Sequence, residues 1–304
     1  MTSQDVISSY RVAEFVTLTR DGSPVCWPML PAFERGRLVF STGYMYPTKA
    51  RNAQRDPRVA ALFSDPTASG RSDDDPMVLV QGVAEVFDQD IQGNTERYVD
   101  QLKRKTLAFR LVLGIPWMRR AMAGYLARIW IEVIPQREYV WKRGSAPPDA
   151  LRGMSRPATF APGPGIALPQ QVFEWLRRYK RLPVLAYIDR DGRPAVTRVE
   201  ASLQPDHVDI RSELATVEGA PACLTFHRLI GNYRANDSFL IRGHFDAAGR
   251  LIPERVVGYG GTADDRGVGS LKMLRFIRSL GEQLPAKLAR EGRPSIVARP
   301  SPRG

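Results

Sequence analysis

Five side chains between positions 41 and 51 could together hold an anion: Ser41, Thr42, Thr48, Lys49 and Arg51. The hydroxyls donate hydrogen bonds, and the ammonium and guanidinium supply positive charge. Pro47 suits the first turn of a helix, whose free N–H groups and positive dipole end would face the same place. The segment Phe40–Leu62 around them reads as strand, polar loop, short basic helix and strand. A phosphate-sized anion is the expected occupant. The competing reading is an ordinary capped surface helix with solvated cations.

The elements that would position this loop occur twice. Arg20-Asp21-Gly22-Ser23-Pro24 recurs as Arg190-Asp191-Gly192-Arg193-Pro194, each a hairpin turn between runs of strand-forming residues. At the same spacing of 170, Leu38-Val39-Phe40 lies over Val208-Asp209-Ile210. Pro57–Phe63 then aligns with Pro221–His227 at 164, and Val78–Ala84 with Phe239–Phe245 at 161, which puts Gly82 over Gly243. The pattern predicts a duplicated antiparallel unit whose second copy has lost six residues from the Lys49 loop.

The strand pair Phe15–Met29 and Arg37–Thr42, followed by Thr48-Lys49-Ala50-Arg51-Asn52, Asp56-Pro57-Arg58-Val59 and Val78–Glu85, resembles the FMN-binding split barrel of the pyridoxamine 5′-phosphate oxidase-like family. The branch with deazaflavin (F420)-dependent reductases is matched as well as the true oxidases, over roughly residues 10–142. The resemblance implies a mainly β fold with helices: tandem split β-barrels, antiparallel and of Greek-key type. It also implies FMN as cofactor, with F420 as alternative. Trp27, Pro28 and Met29 would lie along the flavin ring, Ser41 and Thr42 at the ribityl phosphate, and Thr48, Lys49, Arg51 and Asn52 on the phosphate loop. Trp141, in the closing strand Ile129–Trp141, would cover part of the cofactor. The chain departs from the oxidases in three respects: it lacks their Arg and Lys beside the Trp27 strand, has Thr48 where an Arg is usual, and lacks their substrate-phosphate Arg and His. The implied activity is hydride transfer to or from a small molecule, with no separate catalytic residue.

Domain limits follow from composition. Residues 1–142 form the first barrel, and the Pro/Gly/Ala/Ser-rich segment 143–165 a linker. Residues 166–294 form the second barrel, opening with a helix over Pro169–Arg181, and 295–304 a frayed tail. The resemblance implies that barrels pair, within the chain or between two chains as a homodimer, and since the second copy lacks a counterpart of Lys49, at most one cofactor per chain is expected. At 304 residues and 43% hydrophobic content, each half can bury a core. Cys26 and Cys223 are too few for a disulfide framework and read as buried thiols; with no signal-peptide pattern at the start, a cytoplasmic location is expected.

The net charge of +12 leaves another class open. Lys103–Arg128 is basic, amphipathic and free of acidic residues, so it could touch an anionic membrane or a nucleic acid, although packing between strands is the preferred reading and no nucleic-acid partner is expected. His207, His227 and His244 have no metal-ligand spacing. His227 and His244 flank adjacent strands and could approach each other, which keeps a haem-binding protein without turnover as an alternative function. Asp73-Asp74-Asp75 reads as a solvated acidic loop, and Gly258-Tyr259-Gly260-Gly261 as a turn.

Overall fold

The computed structural model describes residues 3–34, 37–67, 69, 71–105, 115–230, 235–259 and 271–297. Both repeated turns are tight hairpins. Gly22 and Gly192 take φ of 81° and 73°, a region in which a Cβ is strained. They close β1 (Ala13–Leu18) on β2 (Pro24–Met29) and β8 (Val184–Ile188) on β9 (Pro194–Arg198).

The first sheet adds β3 (Ala32–Glu34), β4 (Arg37–Gly43), β5 (Arg58–Phe63), β6 (Met77–Phe87) and β7 (Arg128–Trp141), in the order β2-β1-β5-β6-β7-β4-β3. The second adds β10 (Glu200–Leu203), β11 (Val208–Arg211), β12 (Pro221–Ile230), β13 (Ala235–Phe245) and β14 (Leu251–Tyr259), in the order β10-β11-β14-β13-β12-β8-β9. Read from its other end, the second order is the first with every strand number raised by seven. The irregularities repeat too. Register shifts fall between Gln81 and Gly82 and between Arg242 and Gly243. A Cβ on Gly82 would lie 2.4 Å from the Ile134 carbonyl oxygen, and one on Gly243 1.9 Å from that of Ile252. Each glycine lets the bulged strand approach its neighbour. The chain is a tandem pair of split barrels.

The strands between the two halves are apolar on both faces, and their alternation sorts residues into two cores. In β5, Val59, Ala61 and Phe63 enter the first barrel's core, while Ala60 and Leu62 enter a second one. In β6, Val78 and Val80 take the first, Met77 and Leu79 the second. That second core also contains Val184, Tyr187, Val196, Leu224 and Phe239, so both barrels share it.

Helix α1 (Ser3–Ser9) precedes the first sheet, and α2 (Thr48–Arg55) joins β4 to β5. Between β6 and β7 lie α3 (Ile91–Lys105), α4 (Pro116–Ala121) and α5 (Ala123–Leu126). The expected linker is an ordered cover. It contains α6 (Asp149–Arg152), buries Leu151 and Met154 in the shared core, and accepts the Tyr187 hydroxyl at Leu151 O, 2.5 Å. The helix predicted over Pro169–Arg181 is shorter, α7 (Gln170–Leu176).

Helix α8 (Leu271–Arg290), expected with the second barrel, packs on the first. Leu284 and Leu288 enter the first core, and α4 and α5 meet α8 at glycines: a Cβ on Gly124 would stand 2.2 Å from Leu280 O, and one on Gly281 2.6 Å from Ala121 O. Of the segment 258–261, Gly258 and Tyr259 end β14, with the Trp175 ring where a Gly258 side chain would go, and residues 260 and 261 lie outside the described residues. Part of the basic segment, residues 106–114, lies outside the described residues; beyond it Ala123 and Leu126 join the first core. No helix among the described residues is long and apolar enough to cross a membrane.

Candidate functional site

A cavity of about 240 Å³ opens at the end of β4 where α2 begins. Strand β2 brings Trp27, Pro28 and Met29 to it, β4 brings Ser41 and Thr42, and the first turn of α2 brings Lys49. Six of the ten residues singled out by sequence therefore meet in one place. Helix α2 has Pro47 at its N-cap and no side-chain cap, while the Arg51 N–H already bonds Pro47 O at 2.8 Å. The N–H groups ahead of Arg51 have no partner within the helix itself, as at any helix start.

The other four lie elsewhere. Thr48 and Arg51 are exposed on α2 and do not line the cavity. Asn52 faces inward, donating to Thr17 Oγ1 at 3.1 Å and accepting from Arg55 at 2.9 Å, so it ties α2 to β1. Trp141 pairs with Met77 at the far end of β7, thirteen residues from Arg128, or roughly 40 Å along the strand. There it fills the shared core.

Sequence reasoning missed the cavity's other cation. Arg128 opens β7 opposite Gly43, whose missing side chain leaves room for it: a Cβ there would be 3.2 Å from Arg128 Nη1. The guanidinium lies 4.0 Å from the Tyr98 ring centroid and 5.1 Å from that of Tyr125. Lys49 Nζ lies 4.5 Å from the Trp27 ring centroid. Burial, then the nearby Arg128 charge, lowers Lys49 to a pKa of about 8. Tyr98 and burial push the Tyr125 hydroxyl up to about 12, so it stays a donor. Arg128 ended the segment read as a packed basic helix; only the pairing of β7 with β4 turns it toward Lys49.

Two walls come from outside the first barrel's sheet. Ser238 of β13 reaches the cavity from the second barrel, and Phe276 and Leu280 of α8 cover its mouth. Phe276 stacks on Tyr46 with centroids 6.1 Å apart, and Lys287 donates to Tyr44 O at 2.5 Å, which holds α8 down.

In the second copy the position of Pro28 carries an ion-paired arginine. Arg198, which stands where the first copy has Pro28, bonds Glu14 Oε1 at 2.8 Å and Ser64 Oγ at 2.9 Å. Glu14 also meets His227 Nε2 at 2.8 Å, and all three are buried. Beside them, burial alone would raise Asp65, but His227, the Thr67 donors and Arg198 outweigh it and hold the carboxyl below its usual range. The loop between β11 and β12 contains no helix equivalent to α2.

His227 and His244 do not approach each other. They sit six residues apart along the β12–β13 ladder, roughly 20 Å. His244 instead meets Glu254 at 2.7 Å. Among the described residues no cluster could hold a metal ion. The acidic loop is latched by arginines, with Asp73 accepting from Arg181 at 2.7 Å. Cys26 and Cys223 are buried free thiols.

No family model matches the chain, and no curated protein gives a significant match. Solved structures similar to it include a conserved hypothetical protein from Mycobacterium tuberculosis, at 25% identity over 47% of this chain and 85% of that one, TM-score 0.35. A putative pyridoxamine 5′-phosphate oxidase from Listeria innocua shows 12% identity over 45% and 94%, TM-score 0.32. An F420 reductase shows 20% identity over 44% and 94%, TM-score 0.33. Each overlays less than half of this chain, so the functional reading rests on the cavity's own residues.

Proposed function

We propose that the cavity between β2, β4 and α2 binds a phosphate-bearing flavin-type cofactor, FMN ahead of F420, and that the chain is an oxidoreductase acting on a small molecule. One observation carries this reading: Lys49 and Arg128 are held together in a partly dehydrated cavity at an uncapped helix N-terminus. Like charges so placed repel, and an anion between them relieves the repulsion. The rest of the cavity suits the remainder of such a molecule. Ser41 and Thr42 supply hydroxyls, and Trp27, Tyr98 and Tyr125 supply flat apolar faces. The indole N–H of Trp27 is buried with no acceptor among the described residues.

When bound, the flavin-type ring would supply the hydride chemistry, which needs no acid–base pair from the protein. Lys49, Arg128 and the first turn of α2 would anchor the phosphate, and the β2 strand would orient the ring. Phe276 and Leu280 would exclude water, and α8 must shift outward to admit a whole flavin, because small-molecule sites usually have about 300–1,000 Å³. Ser238 makes the second barrel part of the wall, which supports one cofactor per chain. Equilibrium titration with FMN and with F420 tests the proposal. Saturable binding of either, weakened at least tenfold by Arg128→Ala, is expected; no binding of either refutes it.

A further inference from the structure

A second and larger cleft, about 600 Å³, lies where the two repeated hairpin turns meet the ordered linker. Its position follows from the duplication: Arg20 and Gly22 of one turn and Arg190 and Gly192 of the other all line it. The linker supplies Arg156, and α2 with the start of β5 supplies Arg55 and Arg58. Five arginines thus face one space against two carboxylates, Asp56 and Asp191.

Those carboxylates are already engaged. Asp56 accepts from Arg58 through both oxygens, at 2.9 and 2.5 Å, and Asp191 accepts from Arg137. Arg58 has a further bond to Gly192 O at 2.7 Å, and Arg55 is spent on Leu18 O and Asn52. Among the described residues, Arg156 has only long contacts to Phe160 O, at 3.3 and 3.4 Å. Among the described residues, Arg20 and Arg190 have neither a carboxylate nor a carbonyl partner. Three guanidinium groups therefore retain most of their donors, and each has five in a planar fork.

Two of them are seated by glycines. A Cβ on Gly153 would fall 1.7 Å from Arg190 Nε, and one on Gly219 2.8 Å from Arg156 Nη1. The backbone at both places is bare where the arginine stems cross it, which limits the orientations the forks can take. Apolar floor comes from Leu18, Ile188 and Pro157. The volume lies within the usual range of small-molecule sites.

The geometry points to a second ligand site: the cleft between the two hairpin turns binds a compact polyanion, carrying two or more phosphate or carboxylate groups, through Arg20, Arg156 and Arg190. Guanidinium forks match either group in bidentate fashion. This site is separate from the cavity at Lys49 and does not depend on the function proposed for it.

The test uses the full chain, with inorganic pyrophosphate and citrate as probes in calorimetric titrations at low salt. Expected is one saturable site per chain for at least one probe, weakened tenfold or more in Arg20→Ala/Arg190→Ala. The control Arg211→Ala/Arg278→Ala removes equal charge from exposed positions outside the cleft and should change affinity less than twofold. FMN titration should be the same in all three proteins, which separates failure here from failure of the cofactor reading. Absence of saturable binding to both probes, or equal weakening in the control, overturns the proposal. So would a single-stranded oligonucleotide that binds far more tightly than either probe and loses that affinity in Arg20→Ala/Arg190→Ala.

Discussion

Replacing Lys49 by Met should make the cofactor-free protein more stable and the cofactor bind less well. The ammonium titrates at 10.5 when solvated and at about 8 here, first because it is dehydrated and then because Arg128 is near. That difference corresponds to roughly 3 kcal/mol against the charged form in the folded state. Part of the side chain keeps solvent, which screens the penalty to about 1–2 kcal/mol.

The sign of its pH dependence follows from the lowered folded-state value. Below pH 8 the folded protein bears the whole penalty, and as pH rises from 8 toward 10.5 the penalty disappears, because the folded state releases the proton before the unfolded chain does. Lys49→Met, of similar length and apolar, should therefore raise the melting temperature by roughly 2–6 °C at pH 7. The gain should fade by about pH 10.5. In the same variant FMN should bind tenfold to a hundredfold more weakly, since a charge-assisted contact worth about 1.5–3 kcal/mol is gone. Thermal melts at the two pH values, with FMN titration at pH 7, read both effects. A variant no more stable than the parent at pH 7, or one with undiminished FMN affinity, would refute the account of Lys49 as a cation strained to receive an anion.

Glu14→Ala should cost about 3–5 kcal/mol in urea unfolding, because Arg198 and His227 would lose their shared carboxylate inside the interface; a cost below 1 kcal/mol would show that water replaces it. Gly243→Ala should destabilise by about 1–3 kcal/mol, since its Cβ would meet the Ile252 carbonyl, and Gly82→Ala should behave alike if the two bulges are equivalent. A chain ended at Gly144 exposes the first barrel's half of the shared core, so it should aggregate or dimerise, and a well-behaved monomer in size-exclusion chromatography would contradict the packing described. For the intact protein, FMN stoichiometry should reach one per chain and no more.

Much of this protein was legible one residue at a time. Duplicated turns, each with a glycine at the left-handed position, marked hairpins that need no distant partner, and the spacings between copies carried through to the same seven-strand order and to bulges at Gly82 and Gly243. The loop Ser41–Lys49 was recognisable because hydroxyls, a cation and a helix start are local features. What lay beyond local reach was decided by long-range pairing. Arg128 faces Lys49 only because β7 lies beside β4, and Trp141 misses the cavity because the same strand runs on into the other core. Asn52 is three residues from Lys49 and so on the neighbouring strip of α2, yet its amide is taken up by Arg55 and by Thr17 of β1, a partner that only the packing of α2 on β1 supplies. Helix α8 lies on the first barrel where two glycines allow its backbone to touch α4 and α5, a contact between positions more than 150 residues apart. Periodicity reports which face of an element is apolar; which apolar face it meets is settled only when the whole chain is packed.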